Sequence, residues 1–166
     1  MKRIPWIHKN CVEELDKILK KEMTVLEFGA GKSTLYFSDK CKSVVSFETD
    51  EKWYSRVINE AGENVKIFLY QNLDELTSLL PKEKFNVILI DNAWKIVNRD
   101  ILIDMSIGLL EKPRVLILDN FKTKGAFPNN WKLSKGNFIK KYSLGKIKSK
   151  DFEAKLGPGK TRLFYD

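Results

Sequence analysis

The sequence predicts a doubly wound α/β fold, and three observations support this prediction. Short β-branched runs alternate with amphipathic stretches from about residue 24 onward. Two of the runs, at residues 85–91 and 114–119, are apolar on both faces, which is typical of strands in a covered parallel sheet. A glycine-containing turn joins the first run to the amphipathic stretch after it. Parallel strands connected by helical crossovers account for all three features.

Five strands and a terminal hairpin are predicted in chain order. The five strands cover residues 24–28, 44–48, 65–70, 85–91 and 114–119. Residues 151–156 and 161–165 flank a Gly-Pro-Gly segment and predict a β-hairpin. Amphipathic patterns predict helices at residues 10–21 and 98–111, and residues 122–150 predict loop and a short helix. The expected architecture is a mostly parallel, seven-stranded sheet with a C-terminal antiparallel hairpin.

The length of 166 residues fits a single domain. Within residues 1–166 we expect an N-terminal helical segment at 1–23 and a basic C-terminal part at 122–166. The longest apolar runs have four residues, so no membrane partner is expected, and the first residues lack the apolar stretch of a signal peptide. Cys11 and Cys41 offer neither a disulfide framework nor a zinc ligand pair. A cytoplasmic protein is expected.

The positive charge is concentrated at one end of the chain. Residues 122–166 contain 12 Lys and Arg but only 3 Asp and Glu, whereas residues 1–121 contain 18 and 19. The whole excess of +8 therefore comes from the C-terminal part. Such a segment is typical either of binding to an acidic partner, for example nucleic acid, or of a solvated lysine-rich face.

The turn Val-Leu-Glu-Phe-Gly-Ala-Gly-Lys-Ser-Thr at residues 25–34 is the most informative segment. It is not a P-loop, because Leu26 stands where the first glycine is required. A dinucleotide fingerprint needs a third glycine where Thr34 stands, and the Glu27 carboxylate is unfavourable beside a pyrophosphate. An acid there suits S-adenosylmethionine, which carries an ammonium and a sulfonium group and no phosphate.

Glu48 ends the second predicted strand, 19 residues after Gly29. This is close to the spacing at which an acid binds ribose hydroxyls in nucleoside sites. The alternative is an acid at a strand end that faces water. Dinucleotide and S-adenosylmethionine sites share the feature, so it predicts a nucleoside cofactor without separating the two.

These segments resemble the class I S-adenosylmethionine-dependent methyltransferases. The resemblance spans residues 24–121 and rests on four motifs in the family's order: Val-Leu-Glu-Phe-Gly-Ala-Gly at 25–31, Ser-Phe-Glu at 46–48, Phe-Asn-Val-Ile-Leu-Ile-Asp at 85–91 and Val-Leu-Ile-Leu-Asp-Asn at 115–120. It implies that the methionine part is held by Glu27, Gly29 and Gly31, and the ribose by Glu48. Asn72 is expected near adenine, and Ser33 and Asp91 are further candidates for cofactor contact.

Asp91 and Asp119 end the fourth and fifth predicted strands, and Asn120 comes directly after Asp119. Adjacent parallel strands lie about 4.8 Å apart, so their side-chain oxygens are expected to converge on a hard cation. This is similar to the magnesium site of the catechol-type O-methyltransferases and implies Mg²⁺ as a second cofactor. The alternative is strand-end acids that cap turns. Asp91 and Lys95 are the candidate catalytic residues, with Lys95 one position later than the lysine of that subgroup.

The leading functional hypothesis is an S-adenosylmethionine-dependent methyltransferase that acts on an oxygen or nitrogen of a small-molecule acceptor. A nucleic-acid-binding or RNA-modifying protein that uses the basic C-terminal part is the main alternative. An NAD-dependent oxidoreductase is disfavoured by Glu27 and Thr34. Only about 23 residues precede the first predicted strand, fewer than the catechol-type subgroup uses to close its substrate pocket. This leaves two alternatives: a second copy of the chain acts as a lid, which predicts a homo-oligomer, or the chain lacks catalytic activity.

Overall fold

The computed structural model of the chain describes residues 3–93, 96–153 and 160–166. Its centre is a seven-stranded sheet in the order β3-β2-β1-β4-β5-β7-β6. The strands are β1 Thr24–Phe28, β2 Ser43–Glu48, β3 Val65–Leu69, β4 Phe85–Ile90, β5 Leu110–Leu118, β6 Lys148–Glu153 and β7 Lys160–Tyr165. The first five strands are parallel, and β7 runs antiparallel to both β5 and β6. The fold class predicted from the sequence is confirmed.

Six α-helices in the described part of the chain cover the two faces of this sheet. They are α1 Lys9–Ile18, α2 Lys32–Lys40, α3 Glu51–Glu60, α4 Leu73–Leu79, α5 Arg99–Ser106 and α6 Lys135–Lys141. Apolar side chains of α1, α2 and α3 pack against one face, and those of α4, α5 and α6 pack against the other. Alternate residues of β1 show this division, since Val25 packs with α1 and α2 while Leu26 packs with α4 and α5. No described helix has the length and apolar content needed to cross a membrane.

The strand order places the functional edge of the sheet. From β1 the chain moves outward through β2 to β3, then returns to the other side of β1 as β4. The crossovers after β1 and β4 therefore lie on opposite faces, which opens a crevice at the carboxyl ends of these two strands. The glycine turn at residues 29–31 lies at this position.

The predicted elements match the structure closely, and the differences are at their ends. β5 starts four residues early, because Leu110 pairs with Phe85 before the ladder continues from Val115. The helix predicted at 98–111 ends at Ser106 and continues as a single 3₁₀ turn, Ile107–Leu109. The two strands of the terminal hairpin pair, but β6 starts at Lys148, three residues before the predicted start, and residues 154–159 with the turn lie outside the described residues.

Phe138 on α6 anchors the basic C-terminal part to the core. It is fully buried, and its ring centroid lies 4.6 Å from that of Tyr142 and 4.8 Å from that of Phe164 on β7. Phe138→Ala is expected to lower the free energy of unfolding by about 3–5 kcal/mol, because it leaves a cavity among aromatic rings. Chemical denaturation followed by circular dichroism measures this change.

The matched control for this prediction is Lys140→Ala on the exposed side of the same helix. It is expected to change the free energy of unfolding by less than about 0.5 kcal/mol. Equal, small effects of both substitutions would contradict the docking of α6.

Candidate functional site

A cleft of about 310 Å³ opens at the carboxyl edge of the sheet, at the crevice between β1 and β4. Five of the seven residues predicted to bind the cofactor come together around it: Gly29, Gly31, Ser33, Glu48 and Asp91. The complete lining is Trp6, Gly29, Ala30, Gly31, Lys32, Ser33, Glu48, Asp50, Trp53, Asp91 and Ala93. Glu27 and Asn72 are not among these residues.

Gly29 gives the turn its shape. Its φ of +101° lies in a region that favours glycine, and its amide donates a 2.7 Å hydrogen bond to the carbonyl of Phe47 on β2. A Cβ atom at this position would lie 2.5 Å from the backbone oxygen of Asp91. The end of β1 can therefore approach the end of β4 only with glycine here. Gly31 differs, because a Cβ atom there would meet no protein atom within 4 Å and the turn stays open on that side.

Glu27 lies beneath the turn and not in the cleft. Its Oε2 accepts hydrogen bonds from Thr34 Oγ1 at 2.5 Å and Ser46 Oγ at 2.7 Å. Thr34 Oγ1 in turn accepts a 2.9 Å hydrogen bond from the amide of Gly31. Through the hydroxyl of Thr34, Glu27 therefore holds both the start of α2 and the glycine turn in place. Sequence reasoning missed this role of Thr34, although a Ser/Thr three residues into a helix that follows glycine is a usable signal.

The Glu27 carboxyl group is fully buried, and Oε1 has no hydrogen-bond partner in the part of the chain that the structure describes. Burial raises the pKa of Glu27 to about 7, and the hydroxyl groups of Ser33, Thr34 and Ser46 limit that rise. An unpaired carboxylate oxygen at this depth fits a site that receives a cationic ligand group nearby.

Glu48 ends β2 at the wall of the cleft and is 7% exposed. Its Oε1 accepts the backbone amides of Thr49 at 2.6 Å and Asp50 at 2.8 Å. Burial raises the pKa of this carboxyl group, and the backbone donors oppose the rise. The position fits the predicted ribose contact, which stays a prediction.

Asn72 is committed to helix capping. It is the N-cap of α4, and its side chain accepts the backbone amide of Glu75 at 2.9 Å. Glu75 Oε2 accepts the amide of Gln71 in return. This Asn-x-x-Glu pattern resembles a capping box, so the sequence already contained a structural explanation for Asn72.

Asp91 lines the cleft at the end of β4, and a quarter of its side-chain surface is exposed. Its Oδ1 accepts a 3.0 Å hydrogen bond from Nη2 of Arg99, which is itself 2% exposed. Burial and the negative charge of Asp119 raise the pKa of Asp91, and the Arg99 guanidinium opposes this rise. Lys95, the second predicted catalytic residue, lies outside the described residues.

Arg99 was not recognised from the sequence. It is the first residue of α5, where the helix dipole disfavours a positive charge. A basic residue directly after the N-cap Asn98 was therefore the available signal that acidic or carbonyl partners lie nearby.

The predicted magnesium ligands do not fit a metal ion in this structure. Asp119 Oδ1 accepts a 2.7 Å hydrogen bond from the hydroxyl of Thr161, and Oδ2 accepts a 2.6 Å hydrogen bond from the side-chain amide of Asn120. Asp91 pairs with Arg99 instead of sharing a cation with Asp119. Over residues 3–93, 96–153 and 160–166, no group of three or more His, Cys, Asp or Glu side chains is placed to hold a metal ion.

Trp6 is a cleft residue that sequence reasoning did not identify. The side chain is 67% exposed, and its ring lies edge-on to Trp53 with a centroid distance of 5.5 Å. Lys32 Nζ lies 5.1 Å from the centroid of the Trp6 ring. The N-terminal segment therefore reaches the mouth of the cleft, whereas His8 caps α1 and stacks on Phe152.

The buried Glu27 carboxyl group makes stability depend on pH. Its pKa is raised from 4.5 to about 7, so between these values the folded state holds a proton that the unfolded state releases. The stability of the wild type should therefore decrease as pH rises from about 4.5 to about 7, by roughly 3 kcal/mol for this group. Glu27→Gln should remove the part of the decrease that comes from Glu27 and leave the part that comes from Glu48 and Asp91, whose pKa values are also raised. Urea unfolding at a series of pH values measures the difference.

The exposed residue Glu22 provides the control, since Glu22→Gln should retain the pH dependence of the wild type. A wild-type and a Glu27→Gln protein with parallel stability curves from pH 4.5 to 7 would show that Glu27 is not the source.

The fold is shared with solved methyltransferase structures. A protein of Streptococcus mutans assigned as a methyltransferase and solved with S-adenosylhomocysteine (SAH) matches with a TM-score of 0.70 and 14% identity, over 95% of this chain and 96% of that chain. An N-methyltransferase from Bradyrhizobium japonicum matches with a TM-score of 0.64 and 12% identity, over 90% and 86%. An rRNA methylase from Streptococcus thermophilus matches with a TM-score of 0.60 and 15% identity, over 94% and 93%.

No family model matches the sequence. No curated protein matches it either. The TM-scores establish a shared architecture, whereas sequence identities this low do not establish a shared chemistry. The chain has the fold of the class I S-adenosylmethionine-dependent methyltransferases.

Proposed function

We propose that this chain is an S-adenosylmethionine-dependent methyltransferase. The observation that carries the proposal is the cleft at the crevice between β1 and β4, which is lined by both the Gly29 turn and Glu48. A glycine turn allows close approach of a ligand, and an acid at the end of the neighbouring strand suits the two hydroxyls of a ribose.

The charges of the cleft favour this cofactor over a phosphate-bearing one. Three carboxylates line it, those of Glu48, Asp50 and Asp91, against one described cation, Lys32. The ammonium and sulfonium groups of S-adenosylmethionine are attracted by such a site, whereas the pyrophosphate of NAD or ATP is repelled. Lys32, at the start of α2, is suited to the methionine carboxylate, because the helix N-terminus also attracts an anion.

The residues then divide the work of the reaction. Bound S-adenosylmethionine supplies an electrophilic methyl group on its sulfonium sulfur. The glycine turn and Glu48 fix the cofactor, and alignment of this kind accounts for much of the rate of a displacement reaction. Asp91 lines the cleft and is the described carboxylate placed to accept a proton from an oxygen or nitrogen acceptor. Mg²⁺ is left out of the proposal because its predicted ligands do not fit.

A second candidate acceptor, RNA, is favoured by one observation. The connection between β5 and α6 leaves the sheet at the same edge as the cleft, and it contains Lys122, Lys124 and Lys132 with no acid over residues 120–134. All three lysines are exposed. A cationic loop beside the cleft is complementary to a phosphate backbone. A small-molecule acceptor remains the leading proposal.

SAH is expected to bind the wild-type protein, and NAD and ATP are expected not to bind. Glu48→Ala should weaken SAH about tenfold or more, because hydrogen bonds to a charged group contribute about 1.5–3 kcal/mol. Isothermal titration calorimetry measures all of these affinities. The control is Glu51→Ala, an exposed acid in the first turn of α3. Binding of ATP without any response to SAH would overturn the proposal, and an unchanged affinity in Glu48→Ala would remove the ribose role.

The RNA alternative predicts binding that weakens steeply with salt. Reversing two loop charges, in a Lys124→Glu and Lys132→Glu double variant, should reduce the slope of log affinity against log salt by about 1.4, since each lost phosphate contact to single-stranded RNA contributes about 0.7. Fluorescence anisotropy of a labelled RNA at several salt concentrations measures the slope.

The control reverses two exposed lysines at the opposite edge of the sheet, Lys20→Glu and Lys42→Glu. It changes the net charge equally and should leave the slope near that of the wild type. Equal slopes in both double variants, or no RNA binding at low salt, would favour the small-molecule acceptor.

A further inference from the structure

Arg99 places a positive charge between the ends of β4 and β5, the region in which the sequence predicted a metal ion, and it binds the side chain of one predicted ligand, Asp91. Its Nη2 donates to Asp91 Oδ1 at 3.0 Å, Nε and Nη2 donate to the backbone oxygen of Asn92 at 3.0 and 2.7 Å, and Nη1 donates to the backbone oxygen of Asp119 at 2.5 Å. The guanidinium group therefore lies among three oxygens from the ends of β4 and β5.

These oxygens form the kind of donor set that hard cations take in proteins, one carboxylate and two carbonyl groups. The cation present is organic and covalently attached. Its delocalised charge and several N–H donors satisfy the oxygens with directional hydrogen bonds. Arg99 is 2% exposed, so solvent does not compete for these contacts.

The contacts also fix the geometry of the cleft. Arg99 bridges the loop after β4 and the start of the loop after β5, because it binds Asn92 on one side and Asp119 on the other. It holds Oδ1 of Asp91, and no described residue donates to Oδ2 of the same carboxylate. Asp91 lines the cleft, so the orientation of its carboxylate relative to a bound cofactor depends on Arg99.

We propose that Arg99 is a built-in replacement for the divalent cation, a positioning residue that orients Asp91 and makes the methyl transfer independent of metal. The statement about methyl transfer rests on the proposed function. The statement about the cation site does not, because it concerns the protein without cofactor.

The test uses the full chain and the variant Arg99→Ala. This substitution removes the guanidinium group and leaves its oxygen partners on Asp91, Asn92 and Asp119 in the protein. We expect a lower midpoint of thermal unfolding and SAH affinity weakened about tenfold or more, since Asp91 loses its buried partner. Added guanidinium chloride, below concentrations that unfold proteins, or Mn²⁺ should raise the midpoint of this variant again. The wild type should show neither response.

Two further variants separate the proposal from a loss of packing. In the double variant Arg99→Ala with Asp91→Asn, rescue by Mn²⁺ should disappear. Arg114→Ala is the matched control, because Arg114 also binds a carboxylate and a carbonyl, those of Asp166 and Leu144, but in the middle of β5 and away from its carboxyl end. It should lose stability without loss of SAH affinity and without rescue by Mn²⁺.

Stoichiometric Mn²⁺ binding to the wild type that Asp91→Asn abolishes, measured by electron paramagnetic resonance, would overturn the proposal. Unchanged unfolding and SAH affinity in Arg99→Ala would also overturn it. If Arg99→Ala does not fold, Arg99→Lys, which keeps the charge and loses the planar fork, should show weakened SAH affinity and no Mn²⁺ binding. Failure of SAH to bind the wild type would count against the proposed function alone, since the Mn²⁺ and guanidinium measurements need no cofactor.

Discussion

Gly29 brings the end of β1 against the end of β4, and the cleft depends on that approach. The backbone at residue 29 can lie so close to the carbonyl of Asp91 only because glycine has no Cβ atom and tolerates a positive φ. The turn is then fixed from below, where Glu27 binds Thr34 and Thr34 binds the amide of Gly31. A change at Glu27 or Thr34 would therefore alter the cleft wall from outside the cleft lining.

Acidic side chains cluster around the Gly29 turn. Glu27, Glu48 and Asp91 are held in or under the cleft, and burial raises the pKa of each. Arg99 compensates part of this charge from the β5 side of Asp91. A ligand that brings an ammonium and a sulfonium group would compensate more, so binding and protonation are expected to be coupled in this protein. The proposed preference for a cationic ligand over a pyrophosphate rests on this arrangement.

The sequence predicted the parts of the molecule that follow from local patterns. Buried strands, the glycine turn and the acid at the end of β2 were recognised because periodicity and spacing along the chain determine them. Contacts between distant segments were not recognised. Arg99 donates a hydrogen bond to the backbone oxygen of Asp119, which is 20 positions away in the sequence. The Trp6 ring packs edge-on against Trp53, which is also distant along the chain. Nothing in either local pattern specifies these partners.

The metal prediction was instructive for the same reason. Asp91 and Asp119 do end adjacent strands, and a positive charge does lie among oxygens at those ends. The sequence could not show that the charge belongs to a side chain eight residues after Asp91, or that Thr161 and Asn120 occupy the carboxylate of Asp119. Here the acids at the strand ends correctly indicated a nearby cation, but only the tertiary structure shows that this cation is the Arg99 side chain.

The position of β6 at the end of the sheet gives the C-terminal lysines a role that requires no ligand. One side of this strand pairs with β7, and it is the last strand in the sheet order. Unpaired edges invite another chain to add a strand, which leads to aggregation. Lys148 and Lys150 are exposed on this strand, and Lys146 is exposed just before it. Their mutual repulsion between two copies opposes such edge-to-edge pairing, so the lysines disfavour strand addition at this edge whatever the acceptor is.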